Sequence, residues 1–203
     1  MMKFDTIIIG GGLAGMHTAC RLQKSGQRTV VISKGISLHK PDFSEYRSLG
    51  GRILMGDSVI RGEFEGGNIL AVYTENLGQN RLEADNFILA SGKFLSGGLV
   101  ADMEQIYEPL FGLDVEYDRD RNHWFAPFDE HQGFMSFGVK ADELSRPFLN
   151  GRIIINLYAA GEILAGVDPT ETDSVGKILA HTEAIADRIL GMPITEASFC
   201  ITL

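Results

Sequence analysis

The chain has 203 residues, 44% of them hydrophobic and 22% charged, and a net charge of −9 at pH 7. This is the composition of a soluble globular chain long enough to bury a full core, and its acidic balance argues against nucleic acid as a partner, since phosphates need a cationic surface. The two cysteines, Cys20 and Cys200, lie far apart with no C-x-x-C, which excludes a zinc ribbon or iron–sulfur motif and reads as free thiols in a reducing compartment.

Phe4 to Ile9 is a short apolar run with consecutive isoleucines, and its β-branched content suits a buried parallel strand. Gly10, Gly12 and Gly15 then fall on G-x-G-x-x-G, with Gly11, Leu13 and Ala14 filling the motif, and a helical pattern follows. Each glycine has a distinct task. Gly10 permits the turn, Gly12 lets a pyrophosphate approach the backbone, and Gly15 lets helix and strand pack closely. The free N–H groups at the helix start then face a diphosphate. The helix is expected from Leu13 to Lys24, with Leu13, Met16 and Cys20 on one face and Gly26 as a left-handed cap. A second strand, Thr29 to Ser33, completes a βαβ unit of about 30 residues. Where the fingerprint wants an acidic ribose clamp, the chain has Ser33-Lys34. Ser33 can bond a hydroxyl and Lys34 can attract phosphate, but the missing acid argues against NAD.

Gly35 to Gly51 reads as a long loop, of the kind that is functional or mobile. Val59 to Phe64 and Ile69 to Thr74 flank Glu65-Gly66-Gly67-Asn68, a hairpin turn. Arg81 to Ala84 and Phe87 to Ala90 extend this into an antiparallel meander of three or four strands that returns to the main sheet and ends at Ala90-Ser91-Gly92. Lys93 to Gly98 continues K-F-L-S-G-G, and regularity then falls. Trp124, Phe125, Phe128, Phe134 and Phe137 form an aromatic cluster that reads as core in preference to a ligand platform. Ile153 to Ala160 reads as a buried strand ending at Gly161-Glu162. A last helix runs from Ser174 to Leu190, with Val175, Ile178, Leu179, Thr182, Ala186, Ile189 and Leu190 on one stripe, Asp173 as N-cap and Gly191 as stop. The organisation is read as one domain over 1–203: βαβ to 34, meander 56–90, an irregular segment 93–150 and a strand–helix end from 151. The N-terminus lacks signal-peptide character and no apolar run reaches the roughly 20 residues that span a bilayer, so a cytoplasmic protein without direct membrane insertion is expected.

Other chemistry finds little support. There is no G-x-S-x-G elbow and no H-E-x-x-H, the five histidines show no metal-ligand spacing, and Gly176-Lys177 is not in a phosphate-binding loop. No metal and no catalytic residue are assigned. His17 and His181 read as structural or solvated, and Arg146 either grips a phosphate or carboxylate or makes a salt bridge.

A lone glycine fingerprint leaves NAD, NADP and FAD open. Taken with the meander that ends in Ala-Ser-Gly and the late Gly161-Glu162 and helix, it resembles the FAD-binding domain of glutathione-reductase-like flavoproteins. That is an α/β, FAD/NAD(P)-binding Rossmann-like three-layer domain with a parallel sheet and an antiparallel β-meander. The resemblance implies that Gly161-Glu162, in place of the usual Gly-Asp, approaches the ribityl chain and diphosphate, and that the last helix points its N-terminus at the flavin. More narrowly, Phe87 to Val115, Phe137-Gly138-Val139, Asp142-Glu143 with Arg146-Pro147, Met2 to Gly15, and Leu38-His39 resemble the B subunit of anaerobic glycerol-3-phosphate dehydrogenase. That family implies a flavoprotein with FMN or FAD, working beside an FAD-containing catalytic subunit and an iron–sulfur subunit at the membrane, toward a quinone. His39 then falls in a loop expected near the flavin, and Val59 and Gly176 join the candidate cofactor contacts. Family members are longer, with an inserted region expected between about Leu38 and Gly56. Thr172 to Gly176 keeps a single glycine where the family has a glycine-rich turn. The flavin's uncovered side is expected to take a protein partner or a second copy. Two rival readings remain at this stage: a non-enzymatic nucleotide-binding or assembly module, and an NAD-dependent oxidoreductase.

Overall fold

The computed structural model describes residues 2–35, 42–127 and 129–193. Its framework is a mixed sheet. Strand β1 (Met2–Ile9) leads through helix α1 (Leu13–Lys24) to β2 (Thr29–Ser33), helix α2 (Ser44–Ser48) and β3 (Arg52–Met55). The meander is β4 (Val59–Glu65), β5 (Asn68–Thr74) and β6 (Leu82–Leu89). Short ladders follow: β7 (Val100–Ala101) with β8 (Ile106–Tyr107), β9 (Val115–Glu116) with β10 (Gly138–Val139), and β11 (Phe148–Leu149) with β12 (Arg152–Ile153). β13 (Leu157–Ala159) returns to the sheet and α3 (Ser174–Ile189) closes against α1.

Strands β3, β2, β1, β6 and β13 run parallel in that order. β6 divides its outer edge. Its first residues pair antiparallel with β5 at Leu82 and Glu83, and its last three, Phe87 to Leu89, pair parallel with β13. Asn156 sits at the fork. Its side-chain amide accepts from Ile69 N at 2.8 Å and donates to Ile69 O at 2.8 Å, while its own carbonyl takes Phe87 N. The amide thus stands in for backbone where two strands part. Only residues 56–58 join β3 to β4, with Gly56 N on Ser33 O at 2.8 Å, so the meander must fold back across the parallel sheet. Ile7, Ile8, Val31, Phe87, Ile88, Leu89 and Leu157 are fully buried, the continuous apolar strands expected of a parallel sheet covered on both faces.

Several expectations change. The stretch 35–51 is not all loop: α2 places Tyr46 fully inside, its hydroxyl 2.6 Å from Thr29 Oγ1, and burial pushes the phenol up to about 12. A Cβ on Gly51 would enter that ring, so the glycine is sterically required. β3 lacks a strong pattern because it is a short strand at the sheet's edge, with its residues half-buried or exposed. Arg81–Ala84 and Phe87–Ala90 are not two strands but one, β6, because β1 pairs along its whole length. Ile153 to Ala160 is broken at the Asn156 fork, leaving Ile155 51% exposed. On α1 the buried residues are Ala14, Gly15, Met16, Thr18, Ala19 and Leu22, while Leu13 is 49% exposed. Four of these six are small, because both the sheet and α3 press on this helix. On α3 Val175 is exposed and Ile178, Thr182, Ile185 and Ala186 are buried. Asp173 holds the N-cap position without a side-chain cap bond, and its carboxylate pairs with Lys177 at 3.2 Å instead. Gly26 (φ +86) and Gly191 (φ +67) end their helices as expected.

Both helix histidines are structural. His17 Nδ1 lies 2.8 Å from Thr182 Oγ1 between α1 and α3. His181 Nε2 lies 2.6 Å from Oγ of Ser145, a buried residue in the left-handed region (φ +64). Burial, helped by the nearby Arg188, lowers His181 to about 4. The unfolded chain protonates this histidine below about pH 6.5 while the folded state keeps it neutral. Its contribution is therefore lost as pH falls from about 6.5 toward 4. Urea denaturation at pH 7 and 4.5 is expected to show a loss on the order of 2 kcal/mol from this residue. His181→Asn should remove that increment, and an unchanged pH difference in the variant would refute the assignment.

Candidate cofactor site

The carboxyl ends of the parallel strands gather most of the residues singled out in the sequence. Gly10 (φ +114) turns the chain out of β1, its N–H on Ile32 O at 2.9 Å, and a Cβ there would run into the Ala90 carbonyl. A Cβ on Gly11 would lie 2.8 Å from Ser33 Oγ. Gly15 is pinned beneath the Gly10 carbonyl, so α1 can start only with a glycine there. Gly12 differs from these. It is the N-cap of α1, has extended backbone (φ −78, ψ −168), and among the described residues nothing lies within 4 Å of where its Cβ would be. Backbone crowds Gly10 and Gly15 and the Ser33 side chain crowds Gly11, while among the described residues the space at Gly12 is open, as an approaching anion requires. Among the described residues no side chain caps α1, and no acid occupies its first turn, so its orphan N–H groups and positive dipole end face the open space at Gly12.

Ser33 is buried at the end of β2 and accepts Gly35 N at 3.3 Å, while Lys34 beside it is exposed. Val59 is buried at the start of β4, just beyond Asp57, whose N–H also reaches Ser33 O. Across the switch point, Ala90 N bonds Ile9 O at 2.8 Å. The chain then makes a tight loop in which Gly98 N returns to Lys93 O at 2.9 Å. Gly92 (φ +68) and Gly97 (φ +75) are left-handed, and a Cβ on Gly98 would strike the Gly92 carbonyl, which explains the S-G-G ending. A Cβ on Gly97 would stand 3.9 Å from Lys34 Nζ, so this loop reaches the end of β2. Ser91 Oγ is buried without a hydrogen-bond partner among the described residues. A buried hydroxyl normally finds one, so the atom is available to a ligand.

Gly161 (φ +79) follows β13, and a Cβ there would lie 2.6 Å from Ala14 Cβ, bringing this turn onto the first turn of α1. Glu162 is exposed beside it. Gly176 is exposed in the first turn of α3, and among the described residues nothing lies within 4 Å of where its Cβ would be. His39 and Leu38 lie outside the described residues. Arg146 is engaged by Asp142, Nε at 2.9 Å and Nη2 at 2.7 Å, so the salt-bridge alternative holds. The aromatic cluster divides. Trp124 and Phe137 are buried edge-to-face, 5.9 Å apart, but Phe125 is 70% exposed and joins Phe134 and Phe94 in an outer row; Phe128 lies outside the described residues.

A cavity of about 420 Å³ lies away from these residues, lined by Tyr107, Glu108, Leu113, Asp114 and Tyr117 among others. Burial raises the pKa of Glu108, but its oxygens are taken by Leu110 N and Phe111 N at 3.0 and 2.8 Å. Glu108 organises its own loop and brings no free acid to the site. Among the described residues no cluster of histidine, cysteine or carboxylates could hold a metal ion, and no helix is long and apolar enough to cross a membrane.

A glycine cradle at a helix N-terminus, set where strand order reverses in a parallel sheet, defines a dinucleotide-binding domain of the Rossmann-like class. The chain belongs to the FAD-binding domain family, whose profile matches residues 5–45 and 37–174. Among curated proteins it is similar to the B subunit of anaerobic glycerol-3-phosphate dehydrogenase from Vibrio vulnificus, 38% identical over 164 residues, which is 78% of this chain and 37% of that one. The chain thus spans well under half the length of that relative. Among solved structures it shares its fold with a myxobacterial FAD-dependent chondrochloren halogenase (12% identity, TM-score 0.56, 98% of this chain and 78% of that one). It also shares it with a thioredoxin reductase from Gloeobacter violaceus (12%, 0.55, 93% and 94%). The open Gly12 cradle and the unpartnered Ser91 hydroxyl fit the diphosphate and hydroxyl groups of FAD.

Proposed function

We propose that the chain is the FAD-binding unit of a redox flavoprotein akin to the B subunit of anaerobic glycerol-3-phosphate dehydrogenase, passing electrons between a reduced donor and a quinone-linked acceptor. The observation that carries this reading is the convergence of Gly10–Gly12, Ser33 and Ala90–Gly92 around an open helix N-terminus. FAD, when bound, supplies the electron-transfer chemistry. The chain's part is binding, orientation and electrostatics. Gly10, Gly11 and Gly12, with the N–H groups of Leu13 and Ala14, hold the diphosphate; Gly15 keeps α1 close enough for them to do so. Ser33, Lys34 and Val59 bound the adenosine side. Ala90, Ser91 and Gly92 face the cofactor from β6, and Gly161 and Glu162 from β13. Gly176 in the first turn of α3 and His39 complete the proposed set. The whole chain, 1–203, acts in this reading as one FAD-binding domain.

The relative named above is itself one component of a larger enzyme, as its name states. We extend that to a protein partner over the open side of the site, and through it to peripheral membrane association; Leu95 and Phe125, 82% and 70% exposed, are apolar side chains for a partner to cover. The short span relative to that protein favours a second reading, an assembly module that binds nucleotide without turnover. One experiment separates them. Purified protein is incubated with FAD, desalted and scanned; retained flavin absorbance that bleaches with a reduced donor is expected. Retained flavin that no donor bleaches favours the module, and no retained flavin removes the redox reading.

A further inference from the structure

The geometry points to Lys93 as a positioning residue of the site: its buried ammonium ties the loop after β6 to the segment between Gly161 and α3, and offers its remaining N–H and its charge to an anionic group of bound FAD. This inference rests on the FAD reading above. Lys93 directly follows Ala90-Ser91-Gly92, yet it is 6% exposed, a rare place for a lysine. Its ammonium donates to Met135 O and, at 2.6 Å, to Val167 O, so one side chain fastens three segments distant in sequence. An ammonium has three N–H donors. Among the described residues these two carbonyls are its hydrogen-bond partners, which leaves one donor for a ligand.

The charges around it are few. Asp168, 3% exposed, and Glu162 act on Lys93 from the segment leading to α3. Asp168 Oδ1 is held by Thr170 N and Oγ1 at 2.7 and 2.6 Å, while its buried Oδ2 has no hydrogen-bond partner among the described residues and lies 3.0 Å from His131 Nδ1 as an ion pair. The short turn Gly133–Ser136 carries no charge, and neither does the loop from Phe94 to Gly98, against which Lys34 lies. Burial outweighs the two carboxylates and lowers Lys93 to about 8.

A strut and an anion contact predict different pH behaviour. A neutral amine still donates to two carbonyls, so a pure strut survives deprotonation. A cation facing an anion does not. Binding an anion raises the lysine's pKa, so affinity is greatest below about pH 8 and declines above it, with proton uptake on binding.

The test titrates FAD into the full apoprotein from pH 6.5 to 9.5, in two buffers of different ionisation heat. Wild-type Kd is expected to rise about tenfold between pH 7.5 and 9.5, with a fraction of a proton taken up per FAD near pH 8.5. Lys93→Met should bind more weakly at pH 7 and lose the slope. A pH-independent wild-type Kd without proton uptake, or the same slope in Lys93→Met, overturns the inference while leaving the FAD reading intact. Absence of FAD binding at every pH overturns both. If Lys93→Met does not fold, the wild-type proton count decides.

Discussion

Gly12→Asp is expected to abolish FAD retention while leaving the folded chain at least as stable as before. Gly12 is the N-cap of α1 with extended backbone that any residue adopts, and no described residue fills the space beside it. Aspartate is among the best N-caps and exceeds glycine by a few tenths of a kcal/mol. The same carboxylate would occupy the place proposed for the diphosphate and repel it. At about 4 Å and an effective dielectric near 20, repulsion between unit charges is about 4 kcal/mol, so a fall in affinity of at least about 100-fold is expected. Thermal melts of the apoprotein and FAD titration by fluorescence quenching read the two effects separately. Affinity within about threefold of wild type would remove the diphosphate from this turn. Loss of fold would contradict the open space at Gly12.

The second large effect is on stability, and its sign runs against helix propensity. Gly15 and Gly176 both lie inside helices, where alanine ordinarily gains up to about 1 kcal/mol over glycine. At Gly15 a Cβ would be driven into the Gly10 carbonyl oxygen and stand 3.1 Å from Gly10 C, backbone that the β1 turn holds in place. Gly15→Ala is therefore expected to destabilise by about 3 kcal/mol, through strain at the β1–α1 approach. At Gly176 no atom of the described residues outside its own helix turn lies within 4 Å of an added Cβ, and Gly176→Ala should stabilise by about 0.5–1 kcal/mol. Urea denaturation of both variants as apoprotein measures this. A neutral Gly15→Ala would mean that helix and strand do not approach as closely as described.

Local order was legible where one residue type has one physical use. The glycine turn, the bounds of α1 and β2, and the Gly66-Gly67 hairpin follow from backbone needs that sequence states directly. What sequence hid was set by tertiary contact. α2 is too short to show a period, and Tyr46 reveals its importance only once Thr29 and Gly51 close around it. The inward face of α1 mixes Ala14, Gly15, Thr18 and Ala19 with Met16 and Leu22, so the apolar Leu13 belongs to the expected stripe in sequence but not in the structure, where Met16 alone of the two is buried. The residues that the sequence singles out at Gly10 to Gly15, Ser33 and Ala90 to Gly92 are brought together at the strand ends, because there short-range pattern and strand termini coincide. Lys93 was not singled out, since a lysine is by default a surface residue; its clue is a charge set between Gly92 and an apolar, glycine-ended loop. Likewise, Asn156 within an otherwise strand-like run gave no sign that its amide would serve as a splice.

The divided edge of β6 also sets an order of events during synthesis. β1 and the meander can assemble once residue 89 has emerged, but Phe87, Ile88 and Leu89 then present an unpaired apolar edge until Leu157 to Ala159 arrive. An open edge of that kind is a template for pairing with another chain. The nascent protein thus passes through an interval of vulnerability lasting some seventy residues of translation, about 4–14 s at 5–20 residues per second. Chaperone demand, and the yield of any fragment that stops short of Leu157, follow from that single shared strand.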